Sequence, residues 1–177
     1  MKLLVVIDMQ NDFIDGALGT PEAVAIVPNV AKKVKEYIKN GDKVVYTRDT
    51  HFNDTYMDSL EGKNLPVKHC IKYSDGWQIR PEVYEFGSLV IDKETFGFHD
   101  WGYNLTYNHI IDDYSEIESI EIVGLCTDIC VISNAMILKA QFYETPIIVD
   151  SSCCAGVTPE SHKNALEAMK MCQISIV

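Results

Sequence analysis

No stretch of this chain is apolar for long enough to cross a bilayer. Nor is there a cluster of Lys or Arg to override the net charge of −11, so a phosphate-tracking surface, and with it nucleic-acid binding, is not expected. The six cysteines include no Cys-x-x-Cys pair, which removes the zinc-ribbon and thioredoxin-type readings. Met1-Lys2 leads directly into strand-like residues without a secretory leader, which predicts a cytoplasmic protein whose thiols stay free. Internal repeats, low-complexity tracts and interdomain linkers are also absent, so residues 1–177 read as one domain, long enough to bury a sizeable core.

Against these absences stand short, β-branched apolar runs at residues 3–7, 43–47, 88–92, 120–124, 145–149 and 174–177. Runs of that length suit strands buried on both faces. Helical patterns lie between them. Val27, Val30, Ala31, Val34, Tyr37 and Ile38 recur at helical spacing, and Asn40-Gly41 supplies a stop. Residues 128–142 carry enough apolar side chains for a nearly buried helix, and Thr158-Pro159-Glu160 opens another that runs to about Met171. This alternation predicts an α/β domain, an open six-stranded, mainly parallel sheet with helices on both faces. The stretch from His51 to Pro81 breaks the rhythm. It is too long for an ordinary connection and too rich in Asp, Gly, Pro and His for a packed helix, which marks it as functional.

Three residues fall just beyond apolar runs: Asp8, Lys93 and Cys130. In an open α/β sheet, chemistry gathers at the carboxyl ends of the strands. A thiol in the opening turn of a helix meets the positive end of the helix dipole and unpaired backbone N–H groups, which favours thiolate. A buried structural cysteine is the other reading of Cys130 alone, a loop cap that of Asp8, and a solvated lysine that of Lys93. Taken together, Lys93 favours both anionic partners, and Asp8 can accept the thiol proton and return it to a leaving nitrogen.

A second group is Asp49 and His51, two apart on an extended segment and so pointing the same way. His69 arrives from the long loop. One carboxylate and two imidazoles suit a divalent metal, zinc first, with positions left open for water or substrate.

Asp8-Met9-Gln10-Asn11-Asp12-Phe13, Lys93 with Phe96-Gly97-Phe98, and Gly124-Leu125-Cys126-Thr127-Asp128-Ile129-Cys130-Val131 resemble, in order, the motifs of the isochorismatase-like cysteine hydrolases, nicotinamidases especially. The resemblance spans essentially the whole chain. It implies a catalytic triad of Asp8, Lys93 and Cys130, an oxyanion hole from the backbone N–H groups of Cys126 and Cys130, and a cis peptide before Cys126. It also implies that Phe13 packs against the substrate ring, that Asp49, His51 and His69 are metal ligands, and that the protein is a homo-oligomer. Glu61 matches an occasional extra ligand and carries little weight in a loop that aligns poorly. The implied reaction is amide hydrolysis through a thioester, nicotinamide to nicotinate and ammonia being the leading case. Pro66 stands where nicotinamidases commonly have a ring-packing Trp three residues before the histidine. That departure keeps a ureido or N-carbamoyl compound open as the substrate. The alternative outside catalysis is a silent binding or redox-sensing protein using Cys126 and Cys130.

Overall fold

The fold is described from a computed structural model covering residues 1–177. The apolar runs become strands β1 (Lys2–Ile7), β2 (Lys43–Asp49), β3 (Leu89–Lys93), β4 (Ser119–Leu125), β5 (Ile147–Ala155) and β6 (Ser175–Ile176). They form one six-stranded sheet in the order β3-β2-β1-β4-β5-β6, and every neighbouring pair is parallel. The helices are α1 (Asn11–Ile14), α2 (Pro21–Asn40), α3 (Leu60–Asn64), α4 (Trp101–Tyr107), α5 (Ile132–Gln141) and α6 (Pro159–Met171). None is long and apolar enough to cross a membrane.

The two-residue period of the strands divides the core in two. Leu3, Val5 and Ile7 face Trp101 of α4, Leu138 of α5 and Met169 of α6, whereas Leu4 and Val6 face Ile26, Val30 and Val34 of α2. Helices therefore cover both faces, as the alternation of elements requires. α2 opens on Thr20, whose side chain accepts from the Ala23 N–H, and closes at Gly41, whose φ of 77° is the left-handed conformation glycine adopts freely. α6 begins with a capping box between Thr158 and Ser161.

Several elements differ from the sequence expectation. β5 continues six residues past Val149, because Asp150 is satisfied inside the strand by the N–H and hydroxyl of Ser152 and by Lys33. α1 and α4 are too short to show a helical period. α4 is held by contact, with Trp101 donating its indole N–H to Asn134 Oδ1 at 3.1 Å. The long stretch from His51 is no bare loop, since a 3₁₀ turn (Tyr56–Asp58) and α3 order its first part.

The chain leaves β1 for β2 on one side and later crosses back to β4 on the other. Ligands bind at such a reversal of strand order, outside the carboxyl ends of the strands. Register sets what gathers there. Ile7 lies opposite Gly124, and Asp49 opposite Lys93.

Candidate active site

β1 delivers Asp8, fully buried, with φ at +46°. A side-chain-bearing residue in that left-handed region is uncommon and concentrates at functional sites. The Thr47 hydroxyl donates to Asp8 Oδ1 at 2.6 Å and accepts from the Asp8 N–H at 3.2 Å. β3 ends in Lys93, only 3% exposed, whose Nζ lies 2.7 Å from Asp8 Oδ2, 3.7 Å from Cys130 Sγ and 3.8 Å from Asp49 Oδ1. Sequence therefore singles out three residues that the fold does bring together, around one ammonium group.

Cys130 stands in a π-helical turn (Thr127–Val131) that leads into α5. Such turns recur at functional sites. The Cys126 carbonyl accepts from the N–H groups of Ile129 and Val131, while the Cys126 N–H donates to no other group of the chain. The Leu125–Cys126 peptide is cis, as the family resemblance implies. Gly124 just before it has φ 120°, and a Cβ there would collide with the Ile7 carbonyl oxygen, so only glycine lets β4 lie this close to β1.

The electrostatics correct one expectation. Helix-terminal N–H groups were expected to draw the Cys130 thiol toward thiolate. Instead burial, reinforced by the Asp8 carboxylate, pushes it well above its ordinary value, and Lys93 offsets this only in part. Burial likewise raises Asp8 against the pull of Lys93. Lys93 moves up despite burial, because Asp8, Cys130 and Asp49 all favour its charge. The resting site holds a protonated thiol beside a carboxylate whose basicity is raised.

Asp49, His51, His69 and Glu61 make the second cluster, their ligand atoms all within 4.8 Å of one another. Asp49 Oδ2 is 2.9 Å from His51 Nε2 and 3.5 Å from His69 Nε2, and Glu61 Oε1 is 3.6 and 3.5 Å from the same two nitrogens. The buried His51 Nε2 makes no aligned hydrogen bond despite that proximity. His69 Nδ1 lies 2.9 Å from the Val67 carbonyl, a partner that assigns the proton to Nδ1 and turns the Nε2 lone pair inward. Burial would lower His69, but hydrogen bonds to Asp49 and Glu61 outweigh it and push it up to about 10. Two imidazole nitrogens and two carboxylates converging on one point fit a divalent cation, which would replace the proton they share. Glu61, given little weight from sequence, is as close to both histidines as His69 is to Asp49.

Cys130 and all four residues of the second cluster line one cavity of about 860 Å³, as does Phe13, while Asp8 and Lys93 lie behind its wall. Neither tryptophan reaches it. Trp77 lies under the Arg48 guanidinium and donates to Thr50, and Trp101 packs below α5. Pro66, the position after Leu65, does not line the cavity. Sequence reading missed two supporting residues. Gln10 is buried and binds the Asp49 backbone in both directions, accepting from its N–H at 2.7 Å and donating to its C=O at 2.8 Å. Asn134 donates to the Cys130 carbonyl at 2.8 Å. A lone buried Asn on an otherwise apolar helix face was the only sign of the latter.

Comparison with known proteins follows the same lines. The family described as Isochorismatase domain matches residues 2–176. The nicotinamidase of Escherichia coli (strain K12) is 26% identical over 198 residues, covering 96% of this chain and 90% of that protein. A pyrazinamidase of Pyrococcus horikoshii, solved in complex with zinc, superposes with a TM-score of 0.82 at 28% identity, covering 99% of this chain and 98% of the other. The N-carbamoylsarcosine amidase of Thermoplasma acidophilum superposes with a TM-score of 0.77 at 26% identity, covering 99% and 95%.

Proposed function

This chain belongs to the isochorismatase family, and from that premise we propose that it is a cysteine amidohydrolase cleaving the C–N bond of a small carboxamide, with nicotinamide the substrate to try first. The observation that carries this reading is the ammonium group of Lys93 set 2.7 Å from Asp8 and 3.7 Å from Cys130. A silent binding protein has no need of that arrangement.

Because the thiol rests protonated, attack and proton transfer belong to one event. Asp8 takes the thiol proton as sulfur bonds to the amide carbon and the carbonyl electron pair moves onto oxygen. The N–H groups of Cys126 and Cys130 then hold that oxyanion. Asp8 passes its proton to the nitrogen, the C–N bond breaks, ammonia leaves and a thioester remains on Cys130. Water gives a proton to Asp8 and attacks the thioester. The C–S bond breaks, the acid departs, and the proton returns from Asp8 to the thiol. Lys93 keeps its charge throughout and holds Asp8 in line. Phe13 offers a face to the substrate ring.

Asp49, His51 and His69, with Glu61, would hold a divalent ion, zinc by donor type, which supplies a Lewis acid able to fix a ring nitrogen or carbonyl of the substrate. Pro66 in place of the ring-packing Trp favours the second reading, a ureido or N-carbamoyl hydrolase using the same residues. Homo-oligomeric assembly goes with either. Ammonia release from nicotinamide, pyrazinamide, ureido and N-carbamoyl compounds is the deciding experiment. Turnover confined to the latter two would establish the second reading, and no ammonia from any of them would sink both.

A further inference from the structure

The walls of the cavity say more about the substrate than the reacting groups do. No Lys or Arg lines it, yet Asp49, Glu61 and Glu94 do. Lys93 stands behind Cys130, and its charge is already matched by Asp8. A divalent ion held by Asp49 and Glu61 would likewise have its two charges balanced. A substrate carboxylate would therefore enter as surplus negative charge facing Glu61 and Glu94, with no cation of the chain to pair with.

The mouth of the same cavity is apolar. Phe52, Leu60, Leu65, Phe96 and Val157 line it and are 41%, 78%, 37%, 46% and 52% exposed. Single exposed apolar side chains are ordinary, but several around one opening that leads to a nucleophile mark a binding surface. The volume, about 860 Å³, lies near the upper end of the roughly 300–1,000 Å³ range of pockets that enclose drug-sized ligands. A pyridine ring with its carboxamide would fill only the inner part, between Cys130, Phe13 and the metal-binding cluster.

We propose, resting on the amidohydrolase reading above, that the substrate is an uncharged carboxamide whose far end is an apolar group larger than a single ring. The amide lies at Cys130 and the apolar end at the mouth, among Leu60, Phe96 and Val157. Carboxylate-bearing carbamoyl compounds are disfavoured by the same walls.

Ammonia release by the full-length protein, supplied with zinc, tests this on benzamide, 3- and 4-butylbenzamide and 4-carboxybenzamide. The better butyl compound should exceed benzamide in kcat/KM by about tenfold or more, chiefly through KM, since each methylene placed in an apolar pocket is worth roughly that much. The carboxy compound should fall about tenfold or more below benzamide. Leu60→Ser combined with Phe96→Ser should bring the butyl-to-benzamide ratio close to one. If benzamide or nicotinamide is hydrolysed and neither butyl compound is better, the inference is overturned while the amidohydrolase reading stands. Preference for the carboxy compound overturns it in the same way. A ratio already near one in the wild type, with the double variant lowering the native mass, would assign the mouth to contact between copies of the chain. If no amide releases ammonia, the amidohydrolase reading fails and takes the inference with it.

Discussion

Two groups of polar side chains adjoin one cavity and are held there by different means. Asp8 and Lys93 come from the ends of β1 and β3, which flank β2, and Cys130 from the turn after β4, so the ladder hydrogen bonds of a parallel sheet fix their spacing. The candidate metal cluster takes Asp49 from that same sheet end but His51, Glu61 and His69 from a segment with little regular structure. Register alone places the first group. The second depends on side-chain ties, such as the Asp12 carboxylate accepting from the Cys70 N–H at 2.7 Å and the Tyr56 hydroxyl donating to the Leu65 carbonyl at 2.8 Å. Chemistry built on strand ends is rigid by construction, whereas chemistry carried on a loop is adjustable.

The contrast is sharpest at the thiols. Cys130→Ala should lower kcat by at least about 10⁴-fold while circular dichroism and unfolding remain native, because the covalent route is lost. Cys126→Ala should stay within about tenfold of wild type, since only its backbone N–H is engaged. Equal losses in steady-state assays of the two would mean that the nucleophile has been misassigned.

Charge removal in the two regions should differ in stability. Lys93→Met leaves Asp8 and Asp49 buried without their cation and should cost about 3–5 kcal/mol in urea unfolding. Glu61→Gln, a loss of charge in the loop at a partly exposed carboxylate, should cost the metal-free protein about 1 kcal/mol or less. Similar values for both would remove the distinction between sheet end and loop.

Metal addition probes the loop from the other side. Zinc at about 100 times its dissociation constant should raise unfolding free energy by roughly 2.7 kcal/mol, seen as an upward shift in melting temperature. Asp49→Asn and His69→Ala should abolish the shift and Glu61→Gln reduce it. A shift that survives in all three variants would place the ion elsewhere.

The smallest effect concerns the resting thiol. Since burial and Asp8 both hold it protonated, alkylation of Cys130 by iodoacetamide should be slow at neutral pH and rise steeply toward alkaline pH. Asp8→Asn removes one of the raising influences and leaves Lys93 to lower the value, so alkylation at pH 7 should become several-fold faster even as amide turnover falls. Mass spectrometry of the modified peptide reports both. Slower alkylation in that variant would contradict the charge arrangement.

The same contrast explains what could be read from sequence. Strands buried on both faces need continuous β-branched runs, so Leu3 to Ile7 and Ile120 to Val123 announced themselves, and the residues just beyond them followed. Thr158 and Gly41 marked helix ends by local chemistry. Parallel pairing follows from the alternation of elements, whereas the strand order β3-β2-β1-β4-β5-β6 was not legible, because it depends on which strands meet in three dimensions. What stayed hidden was set by contact at long range. Glu61 could not be weighted without knowing where α3 folds, α4 exists because Trp101 reaches Asn134, and the raised thiol follows from depth of burial, to which position in the chain is blind.

Gln10 joins the two regions. Besides gripping the Asp49 backbone, its side-chain amide donates to the Trp77 carbonyl at 2.9 Å, and next to it the Arg80 N–H donates to the Met9 carbonyl and the Asn11 N–H to that of Gln78. A segment stitched this way to the end of the central strand cannot swing outward while the sheet stays intact. The backbone amides of Asn11, Asp49 and Arg80 should accordingly show hydrogen-exchange protection close to that of the sheet, as parts of one cooperative unit.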